Sequence, residues 1–297
     1  MDLSHPKRII STNRKRKAKN SMMVTCKRTK FMAKYYQQNF SLPDSVIFYV
    51  AKNPKTAELY LKMVKTCKYF FVKNPIIIIP HLDVDGGEYR CGRVPLNLTK
   101  YNCKCWITDK IVASAFLCGS KNIFSPVIPK LYQCDAKNLF LYFHVLSFND
   151  LSLLISSAER IIFHNVVVKY ADSSYVPLED IVSIAVNAKY VSVTKPTITS
   201  KTMKELPNFT KLRILDLSNL SEVFDIDAFY SYMKKNQHTM FLINFDPQIS
   251  EAFKNRLETI VDEILETKAF DYQPPVIKFP GLDFQKYRKL CQIFNSH

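Results

Sequence analysis

The residue types that could do chemistry in this chain are few, and their spacing narrows what each can do. Cys67 stands in the stretch MVKTCKYFFVK, between Lys65 and Lys68 and just ahead of Tyr69, Phe70 and Phe71. A thiol becomes a nucleophile when neighbouring cations stabilise its thiolate, and otherwise a cysteine behaves as a small hydrophobe. In HLDVDGGEYRC, residues 81–91, His81, Asp83 and Asp85 alternate, so a strand would turn all three to one side. Two carboxylates and an imidazole suit a divalent cation. Asp85-Gly86-Gly87 is also the composition of a tight hairpin turn, because glycine takes positive φ without strain. Between Cys91 and Cys134 lie Cys103, Cys105 and Cys118. A zinc site favours C-x-x-C pairs, and this group offers a single C-x-C. The expectation is a turn and packed thiols, with no metal and no cofactor.

The elements around Cys67 decide its role. On a helix over 57–72, Tyr60, Met63, Val64, Cys67, Phe70 and Phe71 form one apolar stripe, with Lys62, Lys65, Thr66 and Lys68 on the other side. Cys67 therefore reads as a packing residue. Upstream, SLPDSVIFYVA places Leu42-Pro43 at a helix start and lines up Val46, Ile47 and Val50. Asn53-Pro54 and Asn74-Pro75 end what precedes them. Two or three short amphipathic helices over 41–73 carry more apolar surface than so few residues can bury among themselves.

Leu42-Pro43, the Val46-Ile47 pair and LKMVKTCKYF resemble an F-box, with Val64, Cys67, Lys68 and Phe70 approximating its closing helix. The resemblance spans about forty residues. It implies docking on the linker subunit of a Skp–cullin–F-box ubiquitin ligase through Leu42, Pro43, Val46, Ile47, Val50, Leu61 and Val64.

Downstream, β-rich runs recur at LFLYFHV, RIIFHNV, KYVSV, LRILDL and MFLINF, each followed by a helical or turn-rich segment. Their centres, Tyr142, Ile162, Val191, Leu215 and Leu242, are 20, 29, 24 and 27 residues apart. Units of this length read as a leucine-rich-repeat-like solenoid, and Leu212, Leu215 and Leu217 fit the repeat's L-x-x-L-x-L core. An irregular open α/β sheet is the alternative. The combination is similar to the lineage-expanded F-box proteins of nematodes.

The predicted fold class is α+β: an F-box-like helical module, then an irregular leucine-rich-repeat-like β/α solenoid. The predicted boundaries are a disordered basic arm at 1–38, the module at 39–75, a linker or cap at 76–138 and the repeats at 139–297. Within the linker, TDKIVASAFLCG is expected to be a helix. After Pro280-Gly281, a helix from Asp283 is expected to use Phe284, Tyr287, Cys291 and Phe294 to cover the open end.

Of 297 residues, 42 are Lys or Arg and 26 are Asp or Glu, a net charge of +16. Residues 1–40 hold eleven Lys/Arg against Asp2 alone, so +10 of that charge sits in the arm. Arg14, Lys15, Arg16, Lys17 and Lys19 read as a nuclear-import signal, a phosphate-binding tail or merely solvated charge. No apolar run is long enough to span a bilayer, and no secretory signal is recognised at the start. A cytoplasmic or nuclear location with reduced cysteines is expected. With five glycines, no phosphate loop, dinucleotide fingerprint or nucleophile elbow can be written. The reading is a non-enzymatic adaptor that holds an unknown protein substrate. The alternatives are a basic nucleic-acid-binding protein and a scaffold without a ligase role.

Overall fold

The computed structural model describes residues 40–98, 100, 102–116 and 122–296. The basic arm, with Arg14, Lys15, Arg16, Lys17 and Lys19, lies outside them, as does Cys118.

Three helices come first: α1 (Asp44–Lys52), α2 (Ala57–Thr66) and α3 (Lys68–Lys73). Thr56 caps α2 by accepting from the Leu59 amide at 3.1 Å. The single stripe expected over 57–72 is broken. Cys67 is extended, with φ −146° and ψ 126°, and separates α2 from α3. The break sends the aromatics to two places. Phe70 packs with Ile47 and Ala51, whereas Tyr60 packs with Ile76 and Trp106.

Strand β1 (Ile76–Asp85) turns through Gly86 and Gly87 into β2 (Glu88–Cys91), followed by β3 (Val94–Pro95). Asp85 pairs with Glu88 across the turn, and the two glycines take φ of 56° and 83°. That is the hairpin the sequence predicts. Next come β4 (Lys104–Ser114), β5 (Leu131–Cys134), β6 (Asn138–Tyr142), β7 (Val145–Ser147) and α4 (Phe148–Ile155). The chain continues through β8 (Arg160–His164), β9 (Val167–Lys169), α5 (Leu178–Ile184), β10 (Tyr190–Thr194) and α6 (Thr202–Glu205). It ends with β11 (Ile214–Leu220), α7 (Ile226–Met233), β12 (Met240–Phe245), α8 (Glu251–Glu266), β13 (Val276–Lys278) and α9 (Phe284–Ser296).

The fold is mixed α/β with one large, mostly parallel sheet, rather than α+β. Its parallel strands lie side by side in chain order: β1, β4, β6, β8, β10, β11, β12 and β13. The hairpin β2–β3 extends the β1 edge, β5 flanks β4, and β7 pairs with β9 in a separate small sheet. The buried residues of α4, α5, α7 and α8 join the same core cluster as alternate residues of the strands, so these helices lie on one face of the sheet. The burial pattern agrees, since each strand hides alternate residues. Leu82, Ile111, Leu139, Ile161, Val191, Leu215 and Phe241 make one inward row across the sheet. Val84, Ala113, Leu141, Phe163, Val193, Leu217, Ile243 and Ile277 make the next. Phe241 meets Phe229 of α7 at 5.2 Å, and Phe245 meets Phe253 of α8 at 5.3 Å. On the other face, α2 covers the start of β1 and β4 through Tyr60, Ile76 and Trp106, and the rest of that face, among the described residues, is open.

Several expectations are corrected. The segment expected as a helix at 108–119 runs through β4. Ile107, Ile111 and Ala113 are buried in strand alternation there, which outweighs the helical preference of its alanines. The region 76–138 is not a linker, because β1, β4 and β5 belong to the sheet and share its core. Tyr142, Ile162 and Leu242, taken as unit centres, point to the open face, and their sequence neighbours fill the core. In α9 it is Leu290 that is buried, whereas Phe284 is 69% exposed.

Candidate functional site

Two surfaces stand apart from the rest, and both follow from how local sequence meets the core. The first is the outer side of α1 and α2. In α1, Ile47 and Ala51 are one turn apart and both are buried. That phase forces Val46, Phe48, Tyr49 and Val50 outward. In α2, Tyr60 is buried and Leu59 and Leu61 flank it outside. Leu42, Val46, Phe48, Tyr49, Val50, Leu59 and Leu61 are 39–68% exposed. So dense an exposed apolar group over twenty residues is a candidate contact surface, unlike singly scattered surface leucines.

The module that presents this surface is rigidly tied. Asn74, 4% exposed, donates from Nδ2 to the Ala51 carbonyl at 3.0 Å. The Tyr60 hydroxyl donates to the Asn74 carbonyl at 2.7 Å and accepts from the Ile76 amide at 3.1 Å. Burial pushes the Tyr60 phenol above its usual pKa. One tyrosine thus joins α2, the end of α3 and the start of β1. Trp106 and Tyr132 continue the contact onto β4 and β5, with ring centroids 5.3 Å apart.

Of the residues expected to meet a partner, Leu42, Pro43, Val46, Val50 and Leu61 are exposed. Ile47 is 7% exposed and packs inward. Val64 is half-buried and touches both small cores of the module. Ile47 therefore holds the helices together rather than facing a partner, and Val64 does so with part of its side chain. The sequence reading missed Phe48, Tyr49 and Leu59; the phase of the Ile47–Ala51 pair was the signal that could have found them.

The second surface is the open sheet face. His81, Asp83 and Asp85 do share it, as alternation predicts. His81 Nε2, however, lies 2.7 Å from Asp109 Oδ2, and Asp83 is registered opposite Arg90. Among the described residues no group of three or more His, Cys, Asp or Glu side chains converges to hold a metal. Cys105 and Cys134 are buried, and burial raises both thiols, Cys134 to about 11. Cys67 packs beside Ile47 and Phe70, as a hydrophobe would.

Further along the open face, Lys110 Nζ lies 5.1 Å from the centre of the Phe140 ring. The Arg160 guanidinium lies 5.9 Å from the same ring and 4.5 Å from that of Tyr190. Ser192 donates to Asp216 Oδ2 at 2.9 Å, and His164 Nδ1 is 3.2 Å from Thr194 Oγ1. On the helix side, a cleft of about 690 Å³ includes Glu179, Ser183, Lys201 and Lys211 in its wall. The buried Glu179 carboxylate accepts from the hydroxyls of Thr199 and Thr202, which fixes the loop between β10 and α6.

The chain matches no family model, no curated protein and no solved structure at a significant level. No helix among the described residues is long and apolar enough to cross a membrane.

Proposed function

We propose that this protein is a substrate-recognition adaptor of a Skp–cullin–F-box ubiquitin ligase. The observation that carries the reading is the exposed apolar face of α1 and α2, set on a module whose own core is complete without it. Leu42-Pro43 opens that module, and Val46, Val50 and Leu61 supply apolar side chains to a partner. Burying such a group on association is favourable by roughly 25 cal/mol per Å² before association costs are subtracted.

The sheet takes the second role. Parallel strands laid down in chain order, with helices on one side, support the leucine-rich-repeat-like solenoid reading of the body. Its open face is then the substrate side. The adaptor needs no catalytic group of its own, because holding the substrate near the ligase's catalytic subunits raises their effective concentration.

Affinity purification of the tagged full chain, followed by mass spectrometry, tests this. Recovery of the linker subunit and a cullin supports the proposal. A second reading, a scaffold without a ligase role, is favoured by the contact of Tyr60 with Ile76 and Trp106, which makes the module a cap on the sheet. That reading expects no ligase subunits in the purification.

A further inference from the structure

We infer that Lys110, Phe140, Arg160 and Tyr190 form a docking strip for an extended acidic peptide segment. The inference rests on the open sheet face being the substrate side. Lys110 of β4 and Arg160 of β8 are registered through Asn138 of the intervening strand β6. Each cation head rests on an aromatic ring of the same face, at 5.1 Å for Lys110 on Phe140 and 4.5 Å for Arg160 on Tyr190. Neither has a carboxylate partner among the described residues. The neighbouring cations Lys137 and Lys189, by contrast, both share Glu159, at 3.6 and 2.6 Å. Two cations thus remain uncompensated, and ring contacts hold them in place. A guanidinium stacked in this way keeps its planar fork free for a carboxylate.

The spacing suggests the ligand's shape. Two strand intervals separate Lys110 from Arg160, about 9.5 Å at the usual strand separation. A polyproline II segment rises about 3.1 Å per residue and repeats its face every third residue, so acidic residues three apart are about 9.3 Å apart. An acidic, proline-rich segment lying across the strands would place one carboxylate on each cation. A nucleic acid fits less well. Two neutralised phosphates give a salt slope of only about −1.4 for a single strand. Asp83 and Asp216 on the same face would also repel a continuous polyanion.

The test uses purified full-length protein and a fluorescent proline-rich peptide carrying two glutamates three residues apart, read by anisotropy. Saturable binding is expected, weakened about tenfold or more by Arg160→Gln or Lys110→Gln, the usual loss of one charged hydrogen bond. Lys278→Gln, on the same face but at the far strand, should leave it unchanged. Equal binding of a peptide with glutamine in place of glutamate, or of the Arg160→Gln variant, overturns the inference. So does the absence of saturable binding. Tighter binding of an oligothymidylate, lost in the same two variants, would make the strip a nucleic-acid site instead. No ligase subunit is present in this assay, so its failure and the failure of the adaptor proposal are read separately.

Discussion

Val46 and Ile47 are neighbours in the chain and opposites in the structure: Ile47 is 7% exposed and packs inward, whereas Val46 is 43% exposed and points away from the protein. The pair therefore separates partner binding from folding. Val46→Asp should leave the melting temperature within a degree or two, because an exposed charge meets water. It should nevertheless abolish ligase-subunit recovery, since that charge would enter a desolvated contact. Ile47→Ala should instead destabilise the protein by about 2–4 kcal/mol without adding any charge to the surface. Thermal denaturation and pull-down of the two variants together check both halves.

A similar contrast holds in the sheet. Leu215 is fully buried in the inward row, and Leu242 sits on the open face two strand positions from Asn244. Leu215→Ala should cost about 2–5 kcal/mol in urea unfolding. Leu242→Ala should cost less, about 1–2 kcal/mol, because its side chain is only partly buried. Equal losses at the two sites would show that the open face is covered.

His144 gives the fold an acid limit. It is 1% exposed, edge-on to the Phe124 ring at 5.3 Å, and neither ring nitrogen has a hydrogen-bond partner. Burial lowers its pKa to about 4, although the nearby Asp150 carboxylate pulls the other way. The unfolded chain takes up this proton near pH 6.5, while the folded chain resists until about pH 4. The unfolded state therefore binds more protons over that window, and stability falls as the pH falls through it, by up to about 3 kcal/mol. His144→Leu should flatten this part of the stability profile, and urea titrations at pH 7.5 and pH 5 would show it. An unchanged slope would assign the acid sensitivity to other groups.

The basic arm carries +10 of the chain's net charge of +16. Removing residues 1–20 deletes Lys7, Arg8, Arg14, Lys15, Arg16, Lys17 and Lys19 together with Asp2. The melting temperature should hardly change, and nuclear accumulation should fall. Fused to an inert cytosolic reporter, the same residues should carry it into the nucleus if they are an import signal. Cytosolic retention of the fusion removes that role.

Strands and helices of the body were legible where a single apolar phase dominated. Ser250 caps α8, and Leu257, Ile260, Val261 and Ile264, at helical spacing in the sequence, are its buried residues. The phase of the strands was not legible, because LFLYFHV and MFLINF are apolar on both faces, and alternation alone does not say which set is inward. The repeat was also obscured at its most regular point. Phe143, Asn165 and Lys195 directly follow β6, β8 and β10, Asn219 sits at the bulge within β11, and all four take positive φ, from 52° to 62°. One left-handed residue bends the chain at the same level of each strand, ending three of them and bulging the fourth. Only two of the four are asparagine, the type that tolerates this conformation best, so no motif appears in the letters. At the candidate docking surface, apolar composition revealed the surplus. Only the packing of Ile47 and Val64 showed which side chains are left to meet a partner.

The central claim is tested most directly by titrating the purified full-length protein with the purified linker subunit of the ligase and measuring heat or anisotropy. The account expects saturable one-to-one binding that is lost in Val46→Asp and retained in Leu242→Ala, with both variants folded. No binding by the unaltered protein, or undiminished binding by Val46→Asp, would contradict it.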